Sequence, residues 1–383
     1  MIRRKFLKII GGGTVLAATA IGAPMAVIAT RQPKTALQPW AMAGQYTEPR
    51  MQALSYALLA PSPHNRQPWL VDLTQAGRII LYADPTRLLP ETDPFSRQIT
   101  IGLGCFLELL RMGAAQNGQR AEMQDFPEGS SAAGLDTRPI AVIDLVPDAS
   151  IRPDPLFAHV LARRSAKAPY DTTKPVPEAL LPRLRAAAIF GPEARTTLAP
   201  PLRQTLRDLT SEAMAIEFAA DRVYHESVAL FRIGATEVDA NPDGISFTGP
   251  LFELMRAGGL FSREAALDRS SSTYTQGVTL TLDAINSAMG YIWLTTEGNT
   301  RHDQLNAGRD WVRINLAATA AGLGLHPLSQ ALQEYPEMQA TRAALHSALG
   351  ATDKTVQMFG RLGYAPASAP KPRWPLAARI SEG

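Results

Sequence analysis

Residues Ile9 to Thr30 form a run of 22 residues without a charge, preceded by Arg3-Arg4-Lys5-Phe6-Leu7-Lys8. A basic start followed by an apolar run describes an export signal. It divides the chain into an address, residues 1–30, and a body that must fold without it. The division also corrects the charge. The 383 residues carry 38 basic and 35 acidic side chains, but residues 1–30 hold four of the bases and no acid. The body is therefore balanced at 34 bases to 35 acids, which argues against a nucleic-acid footprint. With 45% hydrophobic and 19% charged residues, it reads as globular and large enough for one big domain or two ordinary ones.

The R-R-x-F-L-K core resembles the twin-arginine signal, which is read by a receptor. Gly11-Gly12-Gly13, Gly22 and Pro24 keep the apolar run moderate, which suits such a signal better than a committed span. Val27-Ile28-Ala29 and Ala41-Met42-Ala43 are candidate cleavage sites; without cleavage, 22 residues can still anchor the chain in a membrane. The resemblance implies export of a folded chain by the twin-arginine machinery to the periplasm, free or anchored to the inner membrane. Cys105 is the single cysteine and lies in an apolar stretch, so a buried thiol is expected and an intramolecular disulfide is impossible. The six histidines form no ligand pair of the H-E-x-x-H kind, so no metal site is expected.

Residues 31–50 read as a linker. Helical spacing is expected over Met51–Leu59, Ile99–Gln116, Pro177–Ala188, Pro201–Arg232, Leu280–Met289 and Asp303–Ala321, with a helix near Pro155–Arg163. Strands are expected at Trp69–Leu73, Ile79–Tyr82, Pro139–Val146, Tyr291–Thr295 and Thr355–Gly360. Pro147, Pro153 and Pro155 mark a boundary between a first half, residues 51–150, and a second, residues 151–383. The order lacks regular strand–helix alternation, so the fold class is α+β.

Three stretches carry candidate chemistry. Pro61-Ser62-Pro63-His64-Asn65-Arg66-Gln67-Pro68-Trp69 has three prolines ahead of Trp69, so it is a loop. Its side-chain amides donate and accept at once, which suits the edge of a heteroaromatic ring or a turn stabilised by Asn65 and Gln67. In Arg163-Arg164-Ser165-Ala166-Lys167-Ala168-Pro169-Tyr170, extended backbone would turn Arg163, Ser165 and Lys167 to one side. Two cations and a hydroxyl there suit a phosphate; the alternative is a solvated basic helix end. Lys371-Pro372-Arg373 alternates in the same way, as part of that site or of a solvated tail.

Together these stretches resemble the nitroreductase family of FMN-dependent oxidoreductases, and most closely its Acg-like branch, over roughly residues 50–380. Gly322-Leu323-Gly324-Leu325-His326-Pro327-Leu328-Ser329-Gln330 adds to the resemblance. It implies one FMN per chain. Ser62, His64, Asn65 and Gln67, with Pro327, Leu328, Ser329 and Gln330, would lie at the ring, backbone N–H near N5. Arg163, Arg164, Ser165, Lys167, Lys371 and Arg373 would hold the phosphate. Ser329 stands where many members have Glu. The family's two-fold dimer would here be two fused halves in a single-chain pseudo-dimer, a monomer. Separately, Gly234, Gly244, Gly249, Gly258 and Gly259 around Phe247, Phe252 and Phe261 make residues 233–272 a candidate lid or a surface insertion. No nucleophile or acid–base pair is required of the protein, since the flavin does the chemistry. The acceptor would be a small organic molecule. NAD(P)H is the usual donor, and an exported member needs another, from the membrane or periplasm. A flavin-sequestering protein with little turnover is the alternative.

Overall fold

The computed structural model describes residues 30–381. The candidate signal and its Val27-Ile28-Ala29 site lie outside the described residues, apart from Thr30. The architecture is α+β, built from two sheets on either side of a central helix pair. The first sheet holds β1 (Trp69–Asp72), β2 (Arg78–Ala83), β3 (Gln119–Asp125) and β4 (Ala141–Pro147). The second holds β5 (Glu193–Thr197), β8 (Gly290–Thr296), β9 (Gly324–Pro327) and β10 (Thr355–Gly363), in the order β5-β8-β10-β9. A small parallel pair, β6 (Phe231–Ile233) and β7 (Ile245–Phe247), stands apart.

Each large sheet comes from one half of the chain, with one crossover. The C-terminal strand β11 (Ile380–Ser381) returns to pair parallel with β1, Val71 opposite Ile380, and gives the order β11-β1-β2-β4-β3. The tail thus completes the sheet of the first half.

The halves meet through helices Arg97–Ala115 and Arg301–Ala320. The first is buried at every position but Arg111. It is apolar and long enough to cross a membrane, yet 94% of its most apolar window lies inside the protein. Glycine makes the crossing possible: a Cβ on Gly104 would overlap the Leu305 carbonyl, and one on Gly308 the Ile101 carbonyl. The Cys105 thiol is buried at the same crossing and donates to the Gly308 carbonyl at 3.1 Å. One apolar core runs across the junction, with Leu54, Trp69, Ile79 and Phe106 from the first half and Ile292, Leu305, Trp311 and Leu325 from the second.

The expected linker is a correction. Thr35–Leu37 and Gln38–Met42 are short helical turns, and Pro33, Ala36, Pro39 and Ala43 are buried. Polar ties hold the segment down. The Lys34 and Ala36 amides donate to the Asp239 carboxylate, and the Arg373 amide donates to the Ala36 carbonyl. The helix expected near Pro155–Arg163 is shorter, a 3₁₀ turn over Pro155–His159.

Candidate functional site

The loop Pro61–Trp69 is held in uncommon backbone geometry. His64, Asn65 and Gln67 have φ values of 46°, 55° and 51°, a left-handed region that non-glycine residues seldom adopt. The loop is over-determined by hydrogen bonds. Ser62 Oγ accepts from the Gln67 amide, Gln67 Nε2 donates to the carbonyls of Asn65 and Pro242, and Gln67 Oε1 accepts from the Trp374 amide. Asn65 Nδ2 donates to the Pro372 carbonyl, and its Oδ1 accepts from Arg373 at 2.7 Å.

The second stretch is extended, but its sides do not separate cleanly, since Arg164 lines the same cavity as its neighbours. Ser165 bridges to Leu325 in parallel, and the Ala166 amide donates to the Leu325 carbonyl, so the segment lies beside β9. Ala166 turns into the protein, while Arg163, Ser165 and Lys167 line a cavity of about 400 Å³. That volume is within the range of small-ligand and cofactor sites. Segments far apart in the chain reach the same cavity: Ser62, Pro63, His64 and Asn65; Arg163 to Lys167; Pro327, Ser329 and Gln330; Lys371 and Arg373. Of the candidate site residues, Gln67 and Leu328 do not line it. Gln67 is fully buried as a lock between loop, tail and Pro242, and Leu328 packs into the second-half core with its amide bonded to Phe359. The Asn65 carboxamide is likewise spent on the tail rather than free to face a ring.

Among the described residues, the cavity wall contains Arg163, Arg164, Lys167, Lys371 and Arg373 and no Asp or Glu; the buried Glu217 lies behind it and accepts from the wall residue Gln333. Their donors are not equivalent. Arg373 is satisfied by protein: Nε donates to the Leu58 carbonyl and Nη2 to those of Leu59 and Ala60. Arg163, 3% exposed, donates from Nη2 to the Leu59 carbonyl, while its Nε and Nη1 are buried without a partner. Unsatisfied donors on a buried cation are costly unless a ligand meets them.

Crowding is visible in the titration of these groups. Burial, opposed by Cys105 and reinforced by Arg164, brings Arg163 down to about 10. Burial, with Arg163 and Arg164 beside it, brings Arg373 to about 9. Lys167 is exposed at the cavity, yet the protein around it and then Lys371, opposed by the buried Glu217, lower it to about 8. Burial and then Arg373 lower Lys371.

Two histidines line the same wall, both neutral. Burial, then Lys167 and Arg66, push His64 down to about 4, and its Nδ1 is buried without a partner. Burial, Arg361 and Lys167 hold His326 well below its ordinary value. Arg361 Nε donates to His326 Nδ1 at 3.1 Å. A guanidinium only donates, so Nδ1 is the acceptor and the ring proton sits on Nε2.

Arg361 is the residue that sequence reasoning missed. It is fully buried in β10, donates to the carbonyls of Ala166, Lys167 and Ala168 and to Ala284, and stacks 4.0 Å over Tyr170. It fixes the stretch that carries Lys167. A lone Arg within a strand-like run gave no signal. Trp40, on the expected linker, also lines the cavity, as do the apolar Leu89, Ile101, Trp311 and Met358. Gly244 to Phe247 form part of the wall; behind them Asp243 pairs with Arg66, Arg87 and Arg232, tying this segment to the Pro61–Trp69 loop.

No family model matches the chain. It is similar to two curated Mycobacterium tuberculosis H37Rv proteins. It is 26% identical over 341 residues to "Putative NAD(P)H nitroreductase Rv3131", covering 85% of this chain and 88% of that one. It is 25% identical over 322 residues to "Putative NAD(P)H nitroreductase acg", covering 82% and 88%. Among solved structures, a "putative nitroreductase" from Anabaena variabilis aligns with a TM-score of 0.41 and 13% identity, over 93% of this chain and 95% of that one. A Bacteroides fragilis nitroreductase with bound FMN aligns with a TM-score of 0.34 and 17% identity, over 56% and 91%. TM-scores this low define no shared fold by themselves.

Proposed function

We propose that this chain is an FMN-binding oxidoreductase of the nitroreductase family, Acg-like in type, that passes electrons to a small organic acceptor. The observation that carries the reading is the convergence of four remote segments on one cavity with five cations, no carboxylate on its described wall and two unpaired Arg163 donors. The similarity to curated proteins named as NAD(P)H nitroreductases, over more than four-fifths of the chain, supports it.

The chain's groups fit a flavin phosphate, which carries close to two negative charges. Arg163 Nε and Nη1, Ser165, Lys167 and Lys371 would hold that end. Ser62 to Asn65, Pro327, Ser329 and Gln330 would border the ring, with Ile101, Trp311 and Met358 keeping water from it. The neutral His326 would offer its Nε2 proton as a hydrogen-bond donor, held by Arg361. The bound flavin supplies reversible two-electron chemistry, which no side chain of the protein can.

NAD(P)H is the donor favoured by the relatives' names. We further propose export by the twin-arginine route, on the strength of Arg3-Arg4-Lys5-Phe6-Leu7-Lys8 and the charge-free run after it; a periplasmic chain would then need a donor other than NAD(P)H. The buried Asp243 hub favours a second reading, flavin storage, because it pins residues 244–247 against the cavity.

The test is the absorbance spectrum of protein folded in the cytoplasm, with the bound compound identified by mass. One FMN per chain is expected; colourless protein that takes up no added FMN refutes the reading. Anaerobic bleaching by NADPH or NADH, followed by oxidation with a nitroaromatic, separates turnover from storage.

A further inference from the structure

We propose that residues 34–42 form a clasp over the basic end of the cavity, and that Trp40 is a positioning residue that slows the escape of an anion bound there. The identity of the anion as FMN rests on the function proposed above; the clasp itself rests on geometry. Trp40 lines the cavity. The Arg164 guanidinium lies 4.6 Å from its ring centroid and that of Arg373 5.6 Å, so one indole faces two of the cavity's cations. The indole Nε1 donates to the Lys371 carbonyl at 2.8 Å, which fixes the backbone that carries a third. A ring facing these cations holds them and keeps their charge available, since it offers a π-face and not a neutralising carboxylate.

The segment is pinned at both of its neighbours. The Asp239 carboxylate accepts from the Lys34 amide at 2.9 and 3.0 Å and from the Ala36 amide at 2.9 Å. Asp239 does not line the cavity; it belongs to the helix Ala235–Ala240, ahead of the wall residues Gly244–Phe247. On the other side the Arg373 amide donates to the Ala36 carbonyl at 2.8 Å. The clasp therefore joins the 231–247 segment to the C-terminal tail across the end where the cations gather. A ligand held by Arg163, Lys167 and Lys371 would leave past it, and opening it requires the Asp239 and Lys371 contacts to break together.

The experiment loads purified protein with FMN, dilutes it, and follows release by the rise in flavin fluorescence. Trp40→Ala should release FMN about tenfold faster, the loss of a partly desolvated cation–π contact. Trp40→Phe, which keeps a ring but loses the indole N–H, should fall between. Asp239→Ala, which touches no cavity group, should also speed release. Riboflavin lacks the phosphate and should leave wild type and variants alike. Wild-type release rates for FMN in both alanine variants overturn the clasp. A second measurement needs no flavin: inorganic pyrophosphate should slow hydrogen exchange of the 34–42 amides, and unchanged exchange overturns the proposal. Wild-type protein that binds no FMN refutes the flavin reading alone, and the pyrophosphate arm then decides the clasp.

Discussion

Replacing Arg163 by Met should stabilise the empty protein and cripple it as a flavin binder, two effects of opposite sign from one side chain. Arg163 is almost fully buried, and burial brings its guanidinium from 12.5 to about 10. At about 1.4 kcal/mol per unit, holding it charged at neutral pH costs the empty protein about 3 kcal/mol. Methionine removes that cost and keeps most of the volume. It also removes one hydrogen bond to the Leu59 carbonyl, worth about 1.5–3 kcal/mol to a charged donor. That carbonyl is not orphaned, because Arg373 Nη2 donates to it at 3.2 Å. The balance is a gain of about 1 kcal/mol, a rise of roughly 2 °C in melting temperature. In the loaded protein the same change deletes charge-assisted hydrogen bonds to phosphate, so FMN affinity should fall about 10- to 100-fold. Thermal melts with and without FMN, and a fluorescence titration, measure both. A variant that melts lower when empty and binds FMN with wild-type affinity would refute the idea that Arg163 is held in strain for an anion.

Three further outcomes follow from the same geometry. An anion beside Lys167 raises its value from about 8 toward the ordinary 10.5, so binding takes up a proton; affinity is full below about pH 8 and is lost as pH rises above it. Because the second phosphate ionisation lies near 6, FMN should bind best between about pH 6.5 and 8. The buried Glu217 beside Lys167, raised to about 7 by burial, ionises in the same range. Lys167→Arg should therefore reduce the alkaline fall and Lys167→Arg with Glu217→Gln should remove it, while affinity that rises steadily to about pH 9.5 contradicts this. Gly308→Ala should cost about 1–3 kcal/mol in a denaturant melt, because the new methyl meets the Ile101 backbone rather than a side chain that can move. Arg361→Met should destabilise the fold by about 1–3 kcal/mol, the unsatisfied Lys167 and Ala168 carbonyls outweighing the relief of a buried cation, and should weaken FMN binding; binding unchanged in folded Arg361→Met protein would show that the stretch holds itself.

Long, central elements were legible and edges were not. The helices near 97–115 and 301–320 and the strands β1, β2, β4, β8 and β10 announce themselves by period or by apolar runs, because each is covered by neighbours. The sequence reading missed the edge strands β3, β5, β9 and β11, and also the small pair β6 and β7, the first of which falls mostly within the helix expected over Pro201–Arg232. Gln119–Asp125 and Glu193–Thr197 are rich in polar residues, since an edge needs only one buried face, and Gly324–Pro327 is short and bounded by Gly and Pro. In the site, the gathering of Arg163, Ser165 and Lys167 was readable from extended backbone, but alternation alone did not show that Arg164 joins them at the cavity. The roles of Asn65 and Gln67 were not: an amide that locks a strained loop and one that meets a ring have the same composition. Residues 31–50 looked like linker because their order comes from the distant partners Asp239, Lys371 and Arg373.

What assembles the cations without cancelling them is the end of one helix. Helix Pro49–Ala57 finishes at the loop of the first half, and the carbonyls of Leu58, Leu59 and Ala60 that follow it point at Arg373 and Arg163. Carbonyls at a helix C-terminus carry partial negative charge, enough to seat a guanidinium and too little to neutralise it. A carboxylate in their place would satisfy the arginines and leave no field for a ligand. Asp243 does that where Arg66, Arg87 and Arg232 meet, behind the wall residues Gly244–Phe247 and not on the wall itself. Bare carbonyls also seat the structural Arg361, so carbonyl seating alone does not mark a ligand site; what sets Arg163 apart is that its Nε and Nη1 are left over at a cavity, and those spare donors are the strongest physical argument that the cavity was built for an anion.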